Sequence, residues 1–140
     1  MACHAFEAAE RLSISGRRTA EEDKRMLAQA MIAVFHAKFL QDKRMLAAAS
    51  WLASRVSGLL GHAETSLRLA QTAVGYSVGL PKEFEGFAQE ALARALSLNG
   101  RTDEADVARV GAIAAAHSLE REFGIGSLRD EILDLQNGIV

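Results

Sequence analysis

The sequence predicts an all-α domain of antiparallel helical hairpins. Three observations lead there. Only one proline, Pro81, stands in 140 residues, and alanine and leucine dominate a chain with few β-branched runs, a composition that favours helix throughout. Apolar residues recur at i, i+3, i+4 and i+7 with little competing alternation. Glycine and polar clusters interrupt that period at intervals suited to short helix–helix turns. At this length the chain fits one domain able to bury roughly two thirds of its unfolded surface, enough for a core without staples.

The first segment, residues 2–15, carries Phe6, Ala9 and Leu12 on one stripe and stops at Gly16-Arg17-Arg18. Thr19-Ala20-Glu21-Glu22 fits a capping box, with the Thr19 hydroxyl accepting from the backbone and Glu22 reaching back. The helix that follows, to about Phe39, is apolar nearly all round (Met26, Leu27, Ala30, Met31, Ala33, Val34, Phe35, Ala37, Phe39), which predicts that neighbours enclose it on several sides. After the polar break Gln41-Asp42-Lys43-Arg44, with Asp42 as N-cap, a third helix runs to about Leu60. Its stripe is Leu46, Ala49, Ala53, Val56 and Leu60. Beside it lie Ala47, Ser50, Ser54, Ser57 and Gly58, a small-sided strip that lets a second helix approach closely.

Gly61 ends that helix. The fourth spans His62 to about Gly75 or Val78, with Leu67, Ala70, Ala73 and Val74 inward; Gly79 and Pro81 mark the loop after it. The fifth has the cleanest period in the chain, Phe84, Phe87, Ala88, Ala91, Leu92, Ala95 and Leu96, and Asn99-Gly100 stops it. Thr102-Asp103-Glu104 opens the sixth, with a capping threonine and acids at the positive end of the dipole, and it continues to about Phe123. Gly124-Ile125-Gly126 breaks it before a short terminal helix over 127–137 carrying Leu128, Ile132 and Leu135.

The formal net charge of −2 argues against a general electrostatic footprint for nucleic acid or anionic membrane. No window approaches the roughly 18 uninterrupted apolar residues of a membrane span, and Met1-Ala2-Cys3-His4-Ala5-Phe6-Glu7 has none of the charge-then-apolar order of a secretory signal. A single cysteine forms no internal disulfide, so a reducing cytoplasm is the expected location. No cofactor is implied.

Two helix–turn–helix units overlay on their turn glycines, Gly61 and Gly100, 39 residues apart, longer than the roughly 34 of a standard tetratricopeptide repeat. In the second unit Leu92-Ala93, Leu96, Gly100-Arg101, Glu104-Ala105 and Ala112 fall at that repeat's signature positions. Arg109 stands where a bulky apolar residue is usual, and the first unit has Ser66 in place of the usual alanine. The whole chain resembles a group of uncharacterised bacterial tetratricopeptide-like (TPR-like) proteins of about this length. Four stretches carry the resemblance: Arg18-Thr19-Ala20-Glu21-Glu22-Asp23 leading to Met26-Leu27; Phe35-His36; Trp51-Leu52-Ala53-Ser54-Arg55-Val56 up to Leu60-Gly61; and Phe84-Glu85-Gly86-Phe87-Ala88-Gln89-Glu90-Ala91-Leu92-Ala93-Arg94-Ala95. Ala37 stands where an aromatic often follows the histidine, and Ser57 where a tyrosine is usual. The resemblance covers roughly residues 18–121 and implies six to seven helices in a short right-handed array, with no assigned activity.

Few residues carry candidate chemistry. His36, on the most apolar helix, lines a ligand groove or acts as a base in the functional reading, and is a hydrogen-bonded core histidine in the plainer one. Trp51 and Arg55, four apart, can stack guanidinium on indole; they are either an interface anchor for a peptide carboxylate or partner chain, or an inter-helix ridge. Glu90 and Arg94 form an i, i+4 pair beside the Phe84/Phe87 stripe, read either as a helix-stabilising pair or as part of a concave surface of the kind repeat arrays bind on. With Met1 removed, the amine, two amides and His4 imidazole of Ala2-Cys3-His4 have the donor set for square-planar Cu(II) or Ni(II); chance occurrence is the plainer explanation. Lys43-Arg44 is expected to face the acids Glu21, Glu22 and Asp23. No H-E-x-x-H, Walker loop, G-x-S-x-G or C-x-x-C occurs, and Gly124-Ile125-Gly126 follows no strand. Cys3 has no obvious local base and reads as an inert thiol.

These readings lead to a non-catalytic protein-interaction or scaffold module, with Trp51, Arg55, Glu90 and Arg94 on its binding face. The partner is another protein or a second copy; the open ends of a short array are capped either by the flanking helices over 1–17 and 127–137 or by a second chain in a homodimer. The alternative is a small-molecule or peptide sensor with a pocket near His36.

Overall fold

The computed structural model describes residues 2–123. Among them are six α-helices and no strand: α1 (Ala2–Ile14), α2 (Ala20–Leu40), α3 (Lys43–Leu59), α4 (Ala63–Ser77), α5 (Lys82–Leu98) and α6 (Thr102–Phe123). The expected glycine break at 124–126 and the terminal helix over 127–137 lie outside the described residues.

Local chemistry sets most boundaries. The capping box at α2 is complete: the Glu22 amide donates to Thr19 Oγ1 at 3.1 Å and the Thr19 amide to Glu22 Oε1 at 3.0 Å. Asp42 caps α3 by accepting from the Arg44 and Met45 amides at 3.0 and 3.2 Å. Gly61, at φ +81°, takes the left-handed position after α3, where the His62 amide returns to the Ser57 carbonyl at 2.8 Å and satisfies a carbonyl the helix end leaves open. At α6 the sequence expectation needs correcting. Thr102 is already helical, and the Arg101 carbonyl accepts the first intrahelical bond, from the Ala105 amide at 3.0 Å, so Arg101 holds the capping position.

The helices pair as hairpins, α1 with α2, α3 with α4 and α5 with α6, and the short connections make each pair antiparallel. Between hairpins, α1 packs on α3 and α3 on α5, whereas α2, α4 and α6 do not touch one another. The odd-numbered helices thus form a continuous inner layer, and the splayed even-numbered ones leave the inner side concave. The core is alanine-rich; Met26, Leu52 and Glu90 are the largest side chains buried almost completely. Small residues let the axes approach closely. The α3–α4 seam is the clearest case. Ser54 Oγ donates to the Ser66 carbonyl and Ser66 Oγ to the Ser54 carbonyl, each at 2.8 Å, and a Cβ on Gly58 would lie 3.3 Å from Ser66 Oγ. The small-sided strip read from the sequence is this seam.

Two further expectations are overturned. The apolar helix expected to be enclosed is α2, yet only Met26, Ala30, Ala33, Val34 and Ala37 are buried on it. Met31, Ile32, Phe35, Phe39 and Leu40 are exposed, because α2 lies at the end of the array and, among the described helices, meets only α1 and α3. Nor does the Lys43-Arg44 cluster face the acids of α2. Asp23 pairs with Arg18 at 2.8 Å and Glu21 with Lys24 at 3.6 Å, while Lys43 Nζ donates to the Val78 carbonyl and the Arg44 guanidinium lies over the Phe84 ring, 5.9 Å from its centroid.

Candidate functional site

The 39-residue offset of the turn glycines has a direct consequence in the inner layer. Trp51 on α3 and Glu90 on α5 are 39 residues apart, as are Arg55 and Arg94, so the two candidate pairs occupy the same positions of successive hairpins. Neighbouring inner helices run in register and bring equivalent positions together. Trp51 Nε1 donates to Glu90 Oε2 at 2.8 Å, and Arg94 donates to Glu90 Oε1. The edge of the indole meets Phe87, with ring centroids 5.1 Å apart at 63°, a favoured aromatic geometry.

This network is interior. Glu90 is 0% exposed and Arg94 7%, so the pair expected on a helix surface is a buried ion pair instead. Desolvating two charges costs several kcal/mol per ion, which their attraction offsets only when the remaining lone pairs and donors are satisfied. The indole N–H supplies that further bond, one donor reaching each carboxylate oxygen. Placed so, Glu90 cannot touch a partner in solution. It fixes the rotamer of Trp51 and ties α3 to α5.

Above the network the concave face opens into a cleft of about 340 Å³ lined by Phe6 and Glu10 of α1, Ala47, Ala48 and Trp51 of α3, and Glu83, Phe84 and Phe87 of α5. An adjoining hollow of about 340 Å³ shares Phe6, Glu10 and Ala48 and adds Glu7, Ala33, Met45 and Ala49. Together they form one groove across the inner layer. Its floor is apolar and aromatic, and the charged residues lining it are Glu7, Glu10 and Glu83. Sequence reasoning assigned Phe6, Phe84 and Phe87 to the core and passed over Glu10 and Glu83. Aromatic residues recurring on the three odd-numbered helices, Phe6, Trp51, Phe84 and Phe87, were the available signal.

The remaining sequence candidates lie elsewhere. Arg55 is half-buried on α3 and lines neither part of the groove. His36 is half-buried on α2, in a hollow of about 420 Å³ lined by Met31, Ile32, Val34, Phe35, His36 and Lys38, all from that one helix. Its Nδ1 is buried without a hydrogen-bond partner among the described residues, and the Phe35 ring stands 6.5 Å away. His4 is exposed on α1.

No family model matches the chain, and no curated protein or solved structure matches it. The site's chemistry therefore rests on its own residues. Among the described residues, no three His, Cys, Asp or Glu side chains are grouped to hold a metal ion, and no helix is long and apolar enough to cross a membrane.

Proposed function

We propose that this chain is a non-catalytic interaction module, of the kind its resemblance to tetratricopeptide-like proteins suggests, and that its concave groove takes a peptide segment bearing apolar and basic residues. One observation carries the reading: an aromatic floor made by Phe6, Trp51, Phe84 and Phe87 from three helices, bordered by Glu7, Glu10 and Glu83. Aromatic anchors in a pre-formed pocket supply binding energy, and the three bordering carboxylates, which outnumber the Arg44 guanidinium over Phe84, favour partners of the opposite sign. Glu90 and Arg94 serve as supports that hold Trp51 in place before any partner arrives, which lowers the ordering cost of binding. A cytoplasmic location fits the lone cysteine.

Trp51 is the sole tryptophan, so its emission reports on the groove directly. Titration with an amphipathic Lys/Leu peptide should give a saturable change that weakens with added salt, and a Glu/Leu peptide of the same length should give little. Replacing Glu10 and Glu83 together by lysine should reverse that preference. Equal response to both peptides, or none to either, would sink the proposal.

The sensor reading places a small molecule or peptide near His36. The unpartnered Nδ1 supports it, but a hollow formed by one helix offers a ligand little enclosure. Thermal-shift screening against metabolites tests it, and loss of any hit in His36→Ala would locate the site.

A further inference from the structure

The exposed face of α2 is the largest apolar feature that the groove leaves unexplained. Phe39 is 82% exposed, Phe35 68% and Leu40 58%, with Met31 and Ile32 at 41% each. With Ala28, positions 31, 32, 35 and 39 follow helical spacing and form one stripe over the C-terminal half of α2. Met31, Ile32, Phe35 and Phe39 present about 450 Å² to solvent along this stripe, with Leu40 at its border, within the range of the largest patch that monomers ordinarily show. The fold does not require it. The corresponding outer stripe of α4 reads Glu64, Arg68, Gln71 and Gly75, all exposed.

We infer that this face joins two copies of the chain, α2 against α2 in antiparallel order about a twofold axis near residues 32–35. Two considerations select a second copy. First, area: a twofold contact covering the stripe on both sides removes about 900 Å², and the flanking Ala28 and Leu40 bring it to the roughly 1,000 Å² expected of a specific interface. Second, charge: the stripe runs out at its N-terminal end into Lys24 and Arg25, both exposed. The same end carries Glu21, Glu22 and Asp23, and the antiparallel order sets this mixed-charge turn beside the partner copy's α2 C-terminus, which carries the exposed Lys38 and is followed by Asp42 and Lys43. A parallel order would set the acids of the two first turns together, and Lys38 beside Lys38. The patch is thus self-complementary in the sense a twofold interface requires. It lies on α2, outside the inner-layer groove, so dimerisation leaves the groove open.

Sedimentation equilibrium of the full chain at tens of micromolar should show a dimer. Phe35→Glu with Phe39→Glu should sediment as a monomer with unchanged helical circular dichroism, since both side chains project into solvent. A Phe35→Glu chain mixed with a Phe35→Lys chain should recover a heterodimer, because the two positions approach across the axis. A photo-crosslinking residue at position 35 should attach to α2 of a second copy. Three results overturn the inference: a monomeric wild-type chain, a dimer that survives the double glutamate substitution, or crosslinks from position 35 to the chain's own residues 124–140.

Discussion

Replacing Glu90 by leucine tests the buried network at its centre. The substitution keeps an apolar side chain of similar reach but removes the acceptor of both the Trp51 indole N–H and the Arg94 guanidinium. Breaking a buried ion pair from one side typically costs about 3–5 kcal/mol, because the other charge stays desolvated. Domains are stable by only about 5–15 kcal/mol in total, so this is a large share. At about 3 °C per kcal/mol for a chain of this size, the melting temperature should fall by about 10–15 °C. Glu90→Gln, which retains one oxygen but turns an amide donor toward a donor, should lose about 1–3 kcal/mol. The decisive variant is the double one. Glu90→Leu with Arg94→Met removes both charges and leaves apolar groups in contact, so it should be more stable than Glu90→Leu alone. Urea unfolding followed by circular dichroism and by Trp51 emission measures all three. A loss below about 1 kcal/mol for Glu90→Leu, or a double variant weaker than the single, would refute the assignment of Glu90 as the element tying α3 to α5.

Three further outcomes are expected. The Thr19 backbone hydrogen bond, and then its hydroxyl bond, hold the Glu22 carboxyl below the ordinary glutamate value. A depressed carboxylate contributes stability above its unfolded-state value and loses it as pH falls through the folded one, so the first turn of α2 should loosen only at acid pH; NMR titration of the Glu22 carboxyl should show the lowered midpoint, and Thr19→Ala, which keeps the backbone donor, should raise it only in part. At Gly58 a new Cβ would meet Leu98 Cδ1 at 2.9 Å, the end of a flexible and exposed side chain. Gly58→Ala should therefore be within about 1 kcal/mol of wild type, the gain in helix propensity offsetting the shift, whereas Gly58→Leu should lose about 1–3 kcal/mol by overpacking the α3–α4 seam. Ser66→Ala gives up the bond to the Ser54 carbonyl and should lose about 1 kcal/mol in urea unfolding; no loss would mean that the paired serines contribute only their small size.

Much of the fold was legible because its determinants are local. The Thr19–Glu22 box, the Asp42 cap, the turn glycines Gly61 and Gly100 and the small strip facing Ser66 each act within a few residues or one hairpin, and each is found as expected. Enclosure of α2 was misjudged for a reason of the same kind. Periodicity reports which residues avoid water when a partner exists, but it does not say how many partners a helix has.

The sequence by itself determined the helices, the caps of α2 and α3, the turns and the hairpin order, since these follow from propensity, capping chemistry and apolar spacing along one segment. It also held the 39-residue offset that makes Trp51 and Glu90 equivalent. Only the tertiary structure decided that equivalent positions abut, so that Glu90 and Arg94 are sealed inside while Phe6, Glu10, Glu83 and Phe84 line the open groove. Which face of a helix meets water depends on how neighbouring hairpins are rotated against it, and that is set by packing summed over the whole inner layer.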